Sequence, residues 1–136
     1  MEKAIFDTSV WIDLFKNTKS KQSILLEEYV EYASQNLLLT PTIIQEILQG
    51  VKTEKDFIQK KLVLESFNIL KPDWEKTSIA AAKLYFDLRK KGVTIRKSTD
   101  CLIAQVAIEN NVLLVHNDTD FELIAQNSTL RTFYKN

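Results

Sequence analysis

A run of four apolar residues, Val112-Leu113-Leu114-Val115, stands between the polar Asn111 and His116 and constrains the chain more than any other feature. It is short, β-branched at both ends and apolar throughout. That pattern fits a strand with both faces covered, as in a parallel sheet, rather than an alternating half-exposed strand. Ala4-Ile5-Phe6 and Leu37-Leu38-Leu39 have the same character. Segments of helical periodicity lie between these runs, so strands alternate with helices. The expected fold is an α/β domain with a mostly parallel sheet.

Punctuation is sparse, with only 2 glycines and 2 prolines, but it is readable. Asp7-Thr8-Ser9 closes the first strand, and a helix is expected from near Ser9, with Val10, Trp11, Leu14 and Phe15 at helical spacing. A second helix is expected over Ser20 to Asn36, with Leu25, Tyr29 and Ala33 on one stripe. Thr40-Pro41 is a strong helix start, a hydroxyl cap followed by proline in the first turn, and Gly50 is the stop. Ile43, Ile44, Ile47 and Leu48 form its apolar face. Further helices are expected over Glu54 to Glu65, Trp74 to Lys91 (closed by Gly92), Asp100 to Asn110 and Phe121 to Gln126. Phe67 to Leu70 and Leu130 to Phe133 read as additional strands. No repeat, low-complexity run or linker interrupts this order.

The 136 residues fit one domain, 1–136. A chain of this length buries about two-thirds of its unfolded surface and needs no staple to fold. Cys101 is the sole cysteine, so no intrachain disulfide is possible and a cytoplasmic location is expected. The apolar runs are too short to cross a bilayer, and the early acid at Asp7 argues against a signal peptide. The 18 basic and 18 acidic residues balance, which weakens the case for broad electrostatic attraction to nucleic acid. A local patch survives that argument: Arg89 to Lys97 carries five basic residues and no acid. It reads equally as a helix end suited to the dipole or as a contact for phosphate.

The acids carry the functional signal. Asp7 follows the first strand, and Asp118 and Asp120 follow the Val112–Val115 strand. In a parallel α/β sheet these are carboxyl ends of strands, where such folds bind ligands. Glu46 lies to one side of the apolar face of the Pro41 helix, and Asp100 sits in the first turn of an otherwise apolar helix. Each has an ordinary alternative: Asp7, Asp100 and Asp120 stand where a cap or first-turn acid belongs, and Glu46 suits a helix surface. Five such acids, each beside an apolar segment, make the coincidence informative. Carboxylates gathered at one place repel unless cations neutralise them. Mg²⁺ and Mn²⁺ prefer oxygen donors and support phosphodiester hydrolysis by activating water. Zinc is disfavoured, because His116 and Cys101 are each single.

The sequence Phe6-Asp7-Thr8-Ser9-Val10-Trp11-Ile12-Asp13 resembles the opening motif of PIN-domain proteins, especially the VapC toxins. Thr40-Pro41 through Glu46 occupies the place of the second motif. Thr99-Asp100-Cys101-Leu102-Ile103-Ala104 resembles the third, and His116-Asn117-Asp118-Thr119-Asp120-Phe121 the fourth. The motifs run in register from Ala4 to about Ala125. The resemblance implies a three-layer α/β/α sandwich in which Asp7, Glu46, Asp100 and Asp118 converge on one or two Mg²⁺ or Mn²⁺ ions. It implies that Asp120 assists directly or through water, and that Thr8 or Ser9 supports the first acid. Asp118 and Asp120 both qualify as principal fourth ligand, and Asp118, nearer the strand, is preferred. The implied activity is endonucleolytic cleavage of RNA, commonly structured RNA such as tRNA. The implied partners are a cognate antitoxin, whose C-terminal segment lies across the groove, and a second copy of the chain in a homodimer.

Arg96 and Lys97, just ahead of Asp100, are the candidates for substrate phosphate; Lys16 and Lys19 are weaker ones. His116 reads as structural. Two other functions stay open. One is a phosphohydrolase with Asp7 as nucleophile, although that chemistry usually wants a second acid at the position of Ser9. The other is a non-catalytic RNA- or protein-binding module of the same fold.

Overall fold

The structure, a computed structural model, describes residues 1–134. Five strands form one sheet in the order β3-β2-β1-β4-β5, and every pairing is parallel. The strands are β1 (Ala4–Phe6), β2 (Leu37–Leu39), β3 (Asn68–Ile69), β4 (Leu113–Val115) and β5 (Thr132–Phe133). Seven α-helices connect them: α1 (Thr8–Phe15), α2 (Lys21–Tyr32), α3 (Pro41–Gln49), α4 (Glu54–Glu65), α5 (Trp74–Lys90), α6 (Ser98–Asn110) and α7 (Thr119–Gln126). β1 and β2 are buried at every position, as their unbroken apolar sequences require.

From β1 the chain steps to β2 and β3, then returns across the sheet to β4 and β5. Right-handed crossovers therefore place α1–α4 over one face and α5–α7 over the other. The packing agrees: α1 meets α2 and α3, and α3 meets α4, while α6 packs between α5 and α7. This is the three-layer sandwich. The direction of winding reverses between β1 and β4, which opens a crevice at their carboxyl ends.

Several element boundaries differ from the sequence reading, each for a local reason. The expected helix over Ser20 to Asn36 breaks at Ala33, and a 3₁₀ turn covers Ser34–Asn36. Ser20 and Ser23 cap α2 reciprocally. The buried positions of α2 are Gln22, Ser23, Leu26 and Tyr29, so Leu26 takes the core position expected for Leu25. Helix α6 begins two residues before Asp100, and α7 two residues before Phe121. The last strand keeps only Thr132–Phe133 of the four residues expected. Gly92, at φ 80°, ends α5, and Asn111, at φ 49°, ends α6 in the left-handed region that asparagine tolerates. Among the described residues no helix is long and apolar enough to cross a membrane.

Candidate active site

Strand ends and helix starts build the pocket together. Asp7 ends β1 and caps α1: its Oδ2 accepts from the Ser9 amide at 3.4 Å and the Ser9 hydroxyl at 2.9 Å. Asp118 follows β4 and caps α7, its Oδ1 accepting from the Asp120 amide at 2.9 Å. Asp100 lies in the first turn of α6. Three helix N-termini thus bring an acid each, and the positive ends of their dipoles favour the negative charge. Glu46 arrives from α3. The Thr8 hydroxyl donates to its Oε1 at 2.7 Å and the Thr99 hydroxyl to its Oε2 at 3.4 Å.

Asp7, Glu46, Asp100 and Asp118 line one pocket of about 330 Å³, together with Thr8, Ser9, Ile12, Gln49, Lys97 and Asn117. The four acids expected to converge thus line the same pocket. Three more polar residues there had no role assigned from sequence: Gln49 on the lining, which carried no signal, and Thr99 on Glu46 and Asn117 on the lining, both inside the quoted motifs. For these two the signal was adjacency: Thr99 precedes Asp100 and Asn117 precedes Asp118. The Asn117 amide also donates to Asp13 Oδ2 at 3.1 Å, tying the fourth motif to α1.

Asp120 is not brought to the pocket lining. Its Oδ2 accepts from the Arg96 amide at 3.0 Å and from Arg96 Nε at 3.1 Å. Arg96 Nη2 donates to Asp118 Oδ1 at 2.9 Å, so the guanidinium spans both acids of the fourth motif. Those two carboxylates hold its pKa above the ordinary arginine value. Of the expected phosphate ligands, Lys97 lines the pocket and Arg96 does not. Lys16 lines a neighbouring groove with Phe15, Ile47 and Val51, reached through the shared Ile12. Lys19 pairs with Glu27 at the surface at 2.6 Å.

Charge in the pocket is only partly compensated, by Lys97 on the lining and by Arg96 on Asp118. Burial pushes the Asp7 carboxyl above the ordinary range, against the lowering effect of its Ser9 bonds, and the Glu46 charge adds to the rise. Asp100 is pushed up to about 7, first by burial and then by the Asp7 charge, with Lys97 opposing. Among the described residues, no three acidic, histidine or cysteine side chains are drawn together as a ready-made ligand cage. An all-oxygen, negatively charged set with open spacing nevertheless suits a cation that keeps its waters. Mg²⁺ is usually held by one or two carboxylates and waters rather than by a closed protein cage.

Residues 4–127 match the PIN domain family model. The chain belongs to the PIN-domain family. This PIN domain is 29% identical over 127 residues to Ribonuclease VapC11 of Mycobacterium tuberculosis, covering 93% of this chain and 95% of the relative. VapBC-1 of nontypeable Haemophilus influenzae contains a chain of similar structure, with TM-score 0.73, 25% identity and 96% of each chain covered. A chain of VapBC2 from Rickettsia felis, solved bound to a DNA fragment from its promoter, superposes with TM-score 0.75 at 20% identity, covering 98% of each chain. The PIN domain described here is thus homologous to the VapC-family toxins of toxin–antitoxin systems.

Proposed function

We propose that this PIN domain is a Mg²⁺- or Mn²⁺-dependent endoribonuclease and the toxin of a toxin–antitoxin pair. One observation carries the reading: Asp7, Glu46, Asp100 and Asp118, from four separate parts of the chain, share one pocket at the reversal point of the sheet. The relatives named ribonuclease support the same chemistry. Asp7, Glu46, Asp100 and Asp118 would hold the cation, some of them through water. When bound, the cation neutralises phosphate charge and activates water for attack on the phosphodiester.

The chain's own residues supply position and charge. Ser9 fixes the Asp7 carboxylate through Oδ2, and Thr8 and Thr99 orient Glu46 from both sides. Lys97, on the pocket lining, is placed to meet a substrate phosphate. Asp120 acts through Arg96, holding the turn that leads into α6 and Asp100. Buried His116 needs no part in proton transfer, since burial lowers its pKa and metal-activated water requires no histidine base.

RNA is the proposed substrate, tRNA among the structured candidates. A cognate antitoxin is the proposed partner, its segment lying in the apolar groove of Phe15, Ile47 and Val51 beside the pocket. A homodimer in the cytoplasm completes the proposal. The test is cleavage of RNA by Asp7→Asn and Asp100→Asn. Both variants are expected to fold and to lose cleavage by about 100-fold or more, the effect of several kcal/mol of lost cation stabilisation. Wild-type cutting by both overturns the carboxylate mechanism.

A further inference from the structure

His116 is the single histidine of the chain and is fully buried, two residues before Asp118. Every polar atom of the residue has a partner. Its amide donates to the Phe133 carbonyl at 3.2 Å, and its carbonyl accepts from Gln22 Nε2 at 3.1 Å. Nδ1 faces the Asp118 amide at 3.1 Å, and Nε2 faces Glu122 Oε2 at 2.7 Å. That same Glu122 oxygen accepts from the Thr132 hydroxyl at 2.7 Å. The ring stacks on Tyr134, centroids 4.8 Å apart and planes within 9°, and packs against Phe121 at 5.1 Å.

The bonding pattern fixes the tautomer. A backbone amide can only donate, so Nδ1 must present its lone pair to Asp118. The ring proton therefore sits on Nε2, where Glu122 accepts it. An N–H on Nδ1 would oppose the Asp118 amide head to head. Packing alone does not call for such an arrangement. A leucine or phenylalanine would fill the space, but neither could accept the Asp118 N–H.

We infer that His116 is a positioning residue for Asp118, with Glu122 and Thr132 as the groups that lock its tautomer. The consequence is geometric. The Asp118 side chain caps α7 and faces the pocket, so its direction depends on the backbone at 116–118. His116 holds that backbone through the Asp118 amide, and Glu122 ties the arrangement to edge strand β5 through Thr132. This inference rests on the reading of Asp118 as a cation-holding acid. Partners behind a metal ligand typically contribute 10–100-fold in affinity or activity.

Two measurements test it. With one imidazole in the chain, ¹⁵N NMR of the metal-free protein reports its tautomer without overlap. The expected result is protonated Nε2 and unprotonated Nδ1; protonated Nδ1 overturns the inference. The second measurement is Mn²⁺ affinity by calorimetry for two variants. In His116→Asn the side-chain oxygen replaces Nδ1 as acceptor. In His116→Gln the amide extends toward Glu122 and leaves the Asp118 N–H alone. The Gln variant is expected to bind Mn²⁺ about tenfold more weakly and to lose kcat with KM for RNA unchanged, the Asn variant to stay within about threefold. Equal weakening in both makes His116 a core filler and overturns the inference. Asp118→Asn is the control. If it binds Mn²⁺ like wild type, the reading of the site fails. If it alone loses Mn²⁺, the site stands and only the role of His116 falls. A wild-type spectrum with protonated Nδ1 overturns the inference even where a variant does not fold.

Discussion

Asp100 and Asp120 look alike by every local measure. Each lies in the first turn of a helix, and each is 5% exposed. Their surroundings are opposite. Asp120 receives two N–H groups from Arg96, one of them on a guanidinium. Asp100 faces Asp7, Glu46 and Asp118 across the pocket, and burial with these charges raises its pKa to about 7. A buried carboxylate with an arginine is structure. A buried carboxylate among other carboxylates is costly in the free protein and becomes favourable only when a cation arrives.

The largest expected effect sharpens this contrast. Mn²⁺ at 100 times its dissociation constant should stabilise the wild type by about 2.7 kcal/mol, since a ligand of the native state shifts unfolding by mass action. Thermal melts with and without Mn²⁺ read this directly. Asp100→Asn should abolish the shift and Asp120→Asn should retain it. If the Asp120 variant loses the shift as well, the division between the two acids collapses.

Removing Asp120 should register in stability instead. Asp120→Ala leaves the Arg96 amide without its acceptor and should cost about 1–3 kcal/mol, the usual result of orphaning a hydrogen-bonding group. Urea unfolding of the metal-free protein checks it. Asp100→Ala under the same conditions at pH 8 should be neutral or stabilising, because it removes an unfavourable charge. A loss at Asp100 matching that at Asp120 would mean both acids are structural.

This contrast was only partly legible in the sequence. The strands and their order of appearance were readable, because a buried parallel strand must be apolar at every position, as Ala4–Phe6 and Leu37–Leu39 are. The gathering of Asp7, Glu46, Asp100 and Asp118 was implied only by the family resemblance; the residues alone placed Asp7 and Asp118 at strand ends and Glu46 and Asp100 on helices. Asp118 was preferred to Asp120 as the fourth pocket acid; it lines the pocket, and its carboxylate also caps α7. The fate of Asp120 was not readable. It depends on Arg96, distant in sequence, whose amide and side chain turn back to meet it. The role of His116 was hidden for the same reason, because a lone histidine acquires meaning only from what its two nitrogens face. On α2, Tyr29 and Ala33 are buried as expected, and Leu26 takes the place of Leu25.

The pH dependence follows from the same partly compensated acid. Asp100 titrates near 4 when unfolded and is raised to about 7 in the fold. The folded state therefore holds a proton that the unfolded state has released. Its contribution to stability is complete below the unfolded value and is lost as pH climbs toward 7 and beyond. Metal-free wild type should lose about 1 kcal/mol from this group between pH 5 and pH 8, after allowance for water in the open pocket. Asp100→Asn should flatten that decline, and saturating Mn²⁺ should reverse it. A metal-free profile identical in wild type and Asp100→Asn would remove the unpaired charge from the account.

Lys97 and Arg96 offer the smallest and most selective test. Both were candidates for substrate phosphate, but Arg96 already spans Asp118 and Asp120, whereas Lys97 lines the pocket beside Asp100. A cation that meets a phosphate releases counterions, so its loss lowers the salt dependence of RNA binding. Binding to single-stranded RNA should lose about 0.7 from its log–log salt slope in Lys97→Ala. Arg96→Ala should instead destabilise the protein and leave the slope nearly unchanged, because its guanidinium is committed to carboxylates. The two effects separate cleanly in filter-binding titrations across salt at a fixed Ca²⁺ concentration, paired with melts. If Arg96→Ala flattens the slope and Lys97→Ala does not, the guanidinium leaves its carboxylates when RNA binds, and the assignment of these two cations reverses.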